Sequence, residues 1–426
     1  MEQSKHLLIF SYYFPPNDGV GGRRWVKFAY YLAQAGYKIT IVTTQVYSKE
    51  LSFWKNDIHP SITILRMNDN YPSVVLNQPN GLIEKIKYKL AIREIKKKYK
   101  GNIYDVSSFT ANSINGEIKN YILENKIKNI IVSGTPFSYF FYVCELANQI
   151  QGLNIMLDYR DLWTDSKYHY GQNVLNSQGI QRFDMERQME KIALNTCNHI
   201  FVVSRDLKDL LCKFRPEIHS KISILPNGFD TRDSEINTNI SHTEKVFPIN
   251  KNVLVFSYFG TINCGRNYFQ KFLDGLNKLS NKFPIQVNFY GNTNKQFEVD
   301  LLALKNENIR IQPRISVSQM EEIAQKSDVL LYIKREDELP NSFATKFYDY
   351  LRLRKFIVIL SPEGDVTKFI NENNIGFVLN ENEIFLDLVK LIEEFKGTGL
   401  NFNGNLDLNS YTIESIAKQM ESYFID

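Results

Sequence analysis

Basic side chains and glycines form one candidate anion site in the second half of the chain. Phe259-Gly260-Thr261 ends a strand pattern, and Gly265-Arg266 opens a helical pattern soon after it. Backbone N–H groups at a helix start and a guanidinium are good ligands for phosphate. We therefore predict that Thr261 and Arg266 line a phosphate site.

Lys346 and Asp349 form a second candidate. They follow Pro340-Asn341-Ser342 in a helical pattern and are three residues apart, so they lie on one face of the helix. The lysine can bind a diphosphate, and the carboxylate can bind a ribose diol. An ordinary i,i+3 salt bridge explains the same spacing, so the pair by itself leaves both interpretations open.

A glycine-rich loop near the start of the chain is the third candidate. Residues 12–27 (YYFPPNDGVGGRRWVK) lead from a short apolar strand pattern into a helical pattern at 25–35. Gly21 and Gly22 allow the backbone to approach a ligand closely. The loop lacks the dinucleotide fingerprint, because Arg24 occupies the position of its third glycine. A glycine-rich connection that binds nothing is the alternative.

The composition is that of an ordinary globular protein, with 43% hydrophobic and 23% charged residues in a chain of 426. This length predicts two or three domains. The net charge of +4 is too small to require a nucleic-acid partner. The four cysteines are scattered without a CxxC pair, which argues against a zinc site and indicates a reducing compartment. The sequence shows no signal-peptide layout and no run of about 18 apolar residues, so we predict a cytoplasmic protein.

Strand and helix patterns alternate along the chain, which predicts an α/β fold with parallel, doubly wound sheets. A polar, aperiodic linker at 230–246 divides the alternation. We predict two Rossmann-like domains facing a central cleft, at 1–229 and 247–410, and a C-terminal helix at 411–426 that packs back on the first. The predicted strands are 7–10, 39–44, 62–66, 129–133, 155–158, 199–203, 222–225, 254–258, 285–290, 309–311, 329–333 and 356–360.

The motifs at the strand ends, taken in order, resemble the retaining glycosyltransferases of family 4, which have the GT-B fold. They extend over nearly the whole chain: YYFPPNDGVGGRRWVKFAYYLAQAGYKITIVTT, DYRDLWTD, FVVSRDLKDLL, ILPNGFD, YFGTINCGR, IRIQPRISVSQMEEIAQKSDVLLY and TKFYDYLRLRKFIVILSP. They are nearer to enzymes that build bacterial surface polysaccharides than to starch or sucrose enzymes. The resemblance implies a nucleotide-sugar donor, UDP-linked by family habit, and a glycan or polyprenyl-linked acceptor.

The resemblance also implies roles for residues of the C-terminal domain, which holds the donor. Arg266 matches a basic residue on the donor phosphates, and Lys346 lies close to the diphosphate. Asp349 matches the second acid of a Glu-x7-Glu motif, which holds the ribose hydroxyls, and Arg314 lies where the base is bound. Asn341 stands where the first glutamate of that motif is expected, near the transferred sugar.

Residues of the N-terminal domain gain roles in the same way. Gly21 and Gly22 match a loop that faces the diphosphate and the acceptor. Arg160 stands where many relatives carry a histidine close to the donor sugar, and Asp161 follows it. Asn227, in the ILPNGFD motif, is a further predicted substrate contact.

The charges predict the mechanism. Cleavage of the sugar–phosphate bond leaves negative charge on the diphosphate, which Arg266 and Lys346 stabilise. The sequence has no Asp-x-Asp motif, the usual metal–diphosphate handle of the other large transferase fold, so we predict transfer without a metal or other cofactor. Asp161 can contact sugar hydroxyls or act as a base, as can Asp158 and Asp165. Structural capping is the alternative for each of them.

Residues 82–100 predict a basic amphipathic helix. Ile83, Ile86, Leu90 and Ile95 fall near one helical face, and seven lysines and an arginine occupy the rest. Such a helix can lie on an anionic membrane. Since the resembling enzymes often act on lipid-linked acceptors, we predict a peripheral protein at the inner face of the cytoplasmic membrane. A solvated helix is the alternative.

Two other functions compete with glycosyl transfer. A nucleotide-sugar 2-epimerase has a related two-domain fold, but it needs acids and histidines that converge on the sugar. A non-catalytic sugar-nucleotide-binding subunit is the second, because Asn341 replaces an expected glutamate.

Overall fold

The structure is a computed structural model of the chain. The chain forms two compact units, which we call unit 1 (Met1–Pro226 with Ile413–Asp426) and unit 2 (Asn227–Thr412). The structure describes residues 5–17, 20–45, 53–68, 71–75, 79, 81–98, 106–165, 177–233, 253–261, 266–291, 293, 295–313, 315, 317–334, 343–397, 399–403 and 405–425.

Unit 1 contains a seven-stranded parallel sheet. Its strands are β1 His6–Phe10, β2 Lys38–Thr44, β3 Thr63–Met67, β4 Asn129–Ser133, β5 Asn154–Tyr159, β6 His199–Val202 and β7 Ile222–Ile224. Their spatial order is β3-β2-β1-β4-β5-β6-β7. Every residue of β1 and β5 is buried, as expected for strands covered on both faces. The strand order reverses between β1 and β4, and open α/β sheets bind ligands outside the carboxyl ends of such strands.

Helices connect the strands of unit 1. They are α1 Val20–Gln34, α2 Leu82–Lys98, α3 Ala111–Ser113, α4 Lys119–Glu124, α5 Ser138–Cys144, α6 Ser177–Thr196 and α7 Arg205–Phe214. A π-helical turn, Ile114–Ile118, joins α3 to α4. Within α1, Trp25 and Phe28 are fully buried against the sheet residues Leu7 and Ile9.

Unit 2 repeats the plan with a six-stranded parallel sheet in the order β10-β9-β8-β11-β12-β13. In chain order its elements are β8 Leu254–Phe259, α8 Arg266–Ser280, β9 Ile285–Tyr290, α9 Lys295–Ala303, β10 Ile309–Gln312, α10 Val317–Lys326, β11 Val329–Ile333, α11 Thr345–Arg352, β12 Phe356–Leu360, α12 Asp365–Asn373, β13 Gly376–Val378 and α13 Ile384–Gly397. The order reverses between β8 and β11, so the expected ligand edge lies where these two strands end.

The C-terminal helix, α14 (Ile413–Met420), belongs to unit 1. Ile416 and Met420 are buried in the core cluster that α1 helps to form. After it, Asn154 Nδ2 donates to the Tyr423 carbonyl over 2.8 Å and Asn129 Nδ2 to the Ile425 carbonyl over 2.7 Å. The first residues of β4 and β5 therefore tie down the end of the chain.

The predicted doubly wound parallel sheets are confirmed, and β4, β9, β11 and β12 have the predicted bounds. The sequence does not predict β13, which has three half-buried residues. A Cβ atom on its Gly376 would lie 1.9 Å from the Ile357 carbonyl oxygen, so this edge strand requires the residue that most weakens a strand pattern.

Two predicted helices differ from the structure. α1 begins at Val20 rather than at residue 25, so Gly21 and Gly22 lie in its first turn and not in a loop. In α2 the predicted single apolar face is wrong. Ile95 is buried, whereas Ile83 is exposed and lies on a different side of the helix.

Candidate functional site

Glycines shape the carboxyl edge of the sheet in unit 2. Gly260 follows β8 and Gly291 follows β9, with φ values of +127° and +142° that favour glycine. A Cβ atom on Gly291 would lie 2.2 Å from the Gly260 carbonyl oxygen. The two turns therefore pack backbone against backbone, and a side chain from α11 lies beside Gly260.

That side chain is Lys346. Its Nζ donates a hydrogen bond to the Tyr258 hydroxyl over 2.9 Å and lies 4.0 Å from the centre of the Tyr258 ring. The Tyr332 ring centre is 5.4 Å from the same atom. A Cβ atom built on Gly260 would lie 3.6 Å from Nζ. The predicted phosphate-binding lysine thus places its ammonium group at the end of β8.

Strand β11 and Asn227 position the start of α11, which carries this lysine. The Ala344 N–H donates to the Tyr332 hydroxyl over 3.0 Å. Asn227 Nδ2 donates to the Phe343 carbonyl over 3.2 Å. Asn227, a predicted substrate contact, therefore holds the backbone that leads into α11.

Asp349 lies on the buried side of α11. Burial raises the pKa of the neighbouring Glu321, and the negative charges of Asp233 and Asp349 raise it further, while Arg352 opposes them. The Arg352 guanidinium donates to Glu321. Asp349 is thus part of a buried group of charges, and its binding of a ribose stays a prediction.

The remaining predicted contacts in unit 2 are described only in part. The main chain of Arg266 opens α8, but its side chain, like all of Arg314 and Asn341, lies outside the described residues. Thr261 is exposed, and its carbonyl accepts a hydrogen bond from the Tyr258 hydroxyl over 3.0 Å. At this edge the structure therefore describes Thr261 and Lys346, which Tyr258 joins by hydrogen bonds.

In unit 1, Arg160 holds three backbone segments together. Its Nε donates to the Gly134 carbonyl over 2.8 Å, and its Nη2 donates to the same oxygen. Its Nη1 donates to the Gly21 carbonyl over 3.3 Å. A Cβ atom on Gly21 would lie 3.2 Å from this Nη1, so the glycine leaves room for the guanidinium. Arg160, predicted to bind substrate, here joins the ends of β4 and β5 to α1.

Gly22 has a different neighbour. A Cβ atom there would lie 2.3 Å from the Tyr13 carbonyl oxygen, which belongs to the segment after β1. No side chain other than hydrogen fits at that distance without a shift of backbone. The first turn of α1 therefore packs directly on the strand end, and this contact explains the glycine without a ligand.

Asp158 is buried inside a network of donors. Arg24 Nη2 donates to it over 2.9 Å, Trp25 Nε1 over 2.8 Å and Ser133 Oγ over 3.2 Å. Arg24 also donates to the Leu225 carbonyl over 2.9 Å. These bonds favour the structural interpretation of Asp158 and use Arg24 to connect α1 with the end of the sheet.

Sequence reasoning does not find the buried network that holds the segment after β5. Glu190 accepts hydrogen bonds from Tyr159, from Thr164 and from Arg215, the last over 2.7 Å. Burial raises the pKa of Glu190, and the Arg215 charge opposes this. Arg215 also pairs with Asp165. Asp165 is therefore structural, while Asp161 remains exposed. No spacing signal links these residues, since they come from distant parts of the chain.

Within the described ranges, no group of three or more His, Cys, Asp or Glu side chains is arranged to hold a metal ion. Transfer without a metal stays a prediction. Of the helices in the described part of the chain, none is both long and apolar enough to cross a membrane.

The sequence matches no protein-family profile and no curated protein. Solved structures do match. A glycosyltransferase from Rickettsia africae ESF-5 has a TM-score of 0.64 at 13% identity, over 99% of this chain and 98% of that one. Anabaena Alr3699/HepE in complex with UDP and glucose has a TM-score of 0.58 at 10% identity, over 98% of each chain. WaaG, a glycosyltransferase involved in lipopolysaccharide biosynthesis, has a TM-score of 0.58 at 13% identity, over 97% of this chain and 99% of that one.

An epimerase also matches. A UDP-N-acetylglucosamine 2-epimerase has a TM-score of 0.54 at 12% identity, over 99% of this chain and 95% of that one. At such identities the likeness shows the fold alone. The chain has the GT-B fold, two Rossmann-like domains built on parallel sheets, which these transferases and the epimerase share.

Proposed function

We propose that this protein is a glycosyltransferase that takes its sugar from a nucleotide-diphosphate donor. The observation that supports this most directly is the ammonium group of Lys346, held by Tyr258 at the end of β8, beside the switch point of the sheet in unit 2. Open α/β sheets bind nucleotides at this place. A fixed cation there suits a diphosphate.

The proposed chemistry follows from this charge. As the sugar–phosphate bond breaks, negative charge develops on the leaving diphosphate. A preorganised ammonium group and the N–H groups at the start of the 15-residue α8 would stabilise it. We propose transfer that retains anomeric configuration and needs no metal, with exposed Asp161 contacting sugar hydroxyls or acting as a base.

We propose UDP as the nucleotide, Asp349 as its ribose contact and Arg314 as a contact of the base. The support for UDP is that HepE, which shares the fold, forms a complex with UDP and glucose. The proposed acceptor is a glycan or a polyprenyl-linked sugar in the assembly of a bacterial surface polysaccharide, such as capsule or O-antigen.

A nucleotide-binding assay tests the donor site. We expect UDP and a UDP-sugar to raise the melting temperature, since a ligand of the native state stabilises it. Lys346→Met should weaken UDP binding by about 10- to 100-fold, because a hydrogen bond to a charged group contributes about 1.5–3 kcal/mol. Lys278→Met is the matched control, since Lys278 is exposed near the far end of α8. Equal affinities for wild type and Lys346→Met would contradict the proposed site, and binding that survives EDTA supports the absence of a metal.

The epimerase remains a second candidate because it shares the fold. His6 and His199 are the first residues of β1 and β6, at the amino edge of the sheet and away from its ligand edge. Incubation with UDP-N-acetylglucosamine, followed by NMR, separates the possibilities. Epimerised product without acceptor would favour the epimerase, and binding without turnover of any donor would favour a non-catalytic subunit.

A membrane surface is the proposed location of the reaction, and α2 is the proposed contact. Its Ile95 is buried, but an apolar stripe on another side is exposed. This stripe consists of Leu82 (81% exposed), Ile83 (72%), Ile86 (59%) and Leu90 (61%). Exposed basic residues flank it: Lys85, Lys87, Lys89, Arg93, Lys96 and Lys97. An apolar stripe between cations suits the interface of an anionic bilayer. We propose the inner face of the cytoplasmic membrane.

Vesicle co-sedimentation tests this contact. We expect binding to vesicles that contain phosphatidylglycerol and much less to pure phosphatidylcholine. Ile86→Glu with Leu90→Glu should abolish it, because both charges would enter the headgroup boundary. Leu302→Glu is the matched control, since Leu302 is 74% exposed on α9, a helix without a lysine cluster. Unchanged binding of the double variant would favour the solvated-helix alternative.

A further inference from the structure

The phenol of Tyr258 stands between the proposed diphosphate-binding lysine and the main chain after β8. Its hydroxyl donates to the Thr261 carbonyl over 3.0 Å. Its oxygen accepts from Lys346 Nζ over 2.9 Å. A phenolic hydroxyl has one proton, so donation to Thr261 leaves its lone pairs to face the ammonium group. The direction of both bonds is therefore set by the turn after β8.

The rings around Lys346 add to this arrangement. Nζ lies 4.0 Å from the centre of the Tyr258 ring and 5.4 Å from that of Tyr332. A cation within about 6 Å of an aromatic ring centre is attracted to it. Tyr332 is itself fixed, because its hydroxyl accepts from the Ala344 N–H that precedes α11. The ammonium group is thus held by one hydroxyl and two rings.

We propose that Tyr258 is a positioning residue, which fixes the Lys346 ammonium group before the donor diphosphate arrives. This inference rests on the proposed function. A lysine side chain has many rotamers, and a ligand that must order it loses affinity. The bond to Tyr258 uses one of the three N–H donors of the ammonium group, and it thereby fixes the directions in which the other two N–H bonds point. Tyr258 thereby raises affinity for a diphosphate without touching it.

The hydroxyl can be separated from the packing of the ring. Tyr258 is buried, and its ring centre lies 6.0 Å from that of Phe289 in the core of unit 2. Tyr258→Phe keeps this packing and removes the hydroxyl, with its bonds to Lys346 and Thr261. A structural role of the ring would therefore survive the substitution, and a positioning role of the hydroxyl would not.

A double-mutant cycle on the full chain tests the inference, with UDP as the probe and its Kd from calorimetry. We expect Tyr258→Phe to weaken UDP binding by about 3- to 10-fold, as the loss of one net hydrogen bond implies. In the Lys346→Met background, Tyr258→Phe should have a much smaller effect, because the ammonium group that the hydroxyl positions has been removed. Factors that multiply in the double variant would overturn the inference.

Tyr350→Phe is the matched control. The Tyr350 hydroxyl is also buried in unit 2, where it accepts from the Phe259 N–H and donates to the Leu331 carbonyl, each over 3.3 Å. Neither bond involves Lys346, so any effect of Tyr350→Phe on UDP affinity should be the same with and without Lys346→Met. Such an effect would report general damage to the sheet, which the melting temperature would also show.

The outcomes separate this inference from the function on which it rests. Wild-type protein that binds no UDP contradicts the proposed function and overturns the inference with it. UDP binding that needs Lys346 but is unchanged in Tyr258→Phe overturns the inference alone. Coupled loss, with the melting temperature of Tyr258→Phe near that of wild type, supports both.

Discussion

The carboxyl edges of the two sheets use their charged residues differently. In unit 1, Arg24 donates to Asp158 and to the Leu225 carbonyl, and Arg160 donates to the Gly134 and Gly21 carbonyls. These bonds hold strand ends and α1 together. In unit 2, the Lys346 ammonium group lies at the sheet edge, where it contacts the Tyr258 hydroxyl and the rings of Tyr258 and Tyr332. The charges of the first edge bind main-chain carbonyls and a carboxylate, whereas the described contacts of Lys346 in the second are with tyrosine side chains.

This difference bears on how a binding site is recognised. The guanidinium of Arg160 donates to two main-chain carbonyls, whereas the described hydrogen bond of the Lys346 ammonium group goes to a neutral hydroxyl. Arginine suits the first task, because its planar fork of five donors can join several acceptors. Arg160 and Gly21 therefore have structural contacts in unit 1, and the diphosphate site that we propose lies at the edge of unit 2.

The substitution expected to have the largest effect on this difference between the units is at Asp158. Asp158→Asn should destabilise the protein by about 3–5 kcal/mol, because it leaves the Arg24 charge buried without its counter-charge. Urea unfolding measures this. Asp161→Asn is the control: Asp161 is exposed, so its stability should change by no more than about 0.5 kcal/mol, whereas transfer should fall. Equal stability of Asp158→Asn and wild type would show that unit 1 does not depend on these charges.

The strands could be predicted from sequence where both faces are buried. Asn129–Ser133 and Phe356–Leu360 are continuous apolar runs, and their bounds agree with the prediction. The start of α1 was predicted wrongly, because glycines in a sequence indicate a loop. Gly22 is instead required by a contact with Tyr13 that only the folded chain reveals. Local patterns carry no information about such distant neighbours.

The candidate site was predictable in the same uneven way. Lys346 lies three residues before Asp349 in a helical pattern and in a motif that resembles the family, so the sequence indicates it as a site residue. Tyr258 reaches Lys346 only because β8 pairs with β11, with Leu331 opposite Tyr258. Arg160 and Gly134 are likewise brought together by the pairing of β4 with β5. Strand order and register decide these contacts, and neither can be predicted from any one segment of the sequence.

Acid should distinguish the two units next. Burial and the Lys208 charge lower the pKa of His199 to about 4, and burial and the Lys38 charge do the same for His6. The unfolded chain, with histidine pKa values near 6.5, then binds more protons than the folded one between about pH 6.5 and pH 4. Stability from these groups is complete above pH 6.5 and is lost as the pH falls towards 4, on the order of 1–2 kcal/mol each once screening by solvent is allowed for.

Both of these histidines belong to unit 1. Hydrogen exchange at pH 7 and pH 5 should therefore show unit 1 losing protection before unit 2. His199→Phe is the informative variant, because a phenyl ring can keep the packing on Tyr423, whose ring centre lies 4.2 Å away, but cannot take up a proton. Its stability should depend less on pH than that of wild type. Earlier loss of protection in unit 2 would contradict this difference between the units.

The smallest expected effects come from Gly21 and Gly22 of α1, where alanine adds a single Cβ atom at the edge of unit 1. Gly22→Ala puts a Cβ atom 2.3 Å from the Tyr13 carbonyl oxygen, and since main chain must move, we expect a loss of about 1–3 kcal/mol. Gly21→Ala meets only the end of Arg160, at 3.2 Å, and alanine favours a helix by about 0.5–1 kcal/mol over glycine. The unfolding free energy of Gly21→Ala should therefore stay within about 1 kcal/mol of wild type.

If Gly21→Ala nevertheless weakens transfer while UDP affinity is unchanged, the edge of unit 1 acts in the reaction and not only in holding α1. If both glycine variants lose only stability, that edge is structural, and the proposed donor site depends on Lys346 and its neighbours in unit 2.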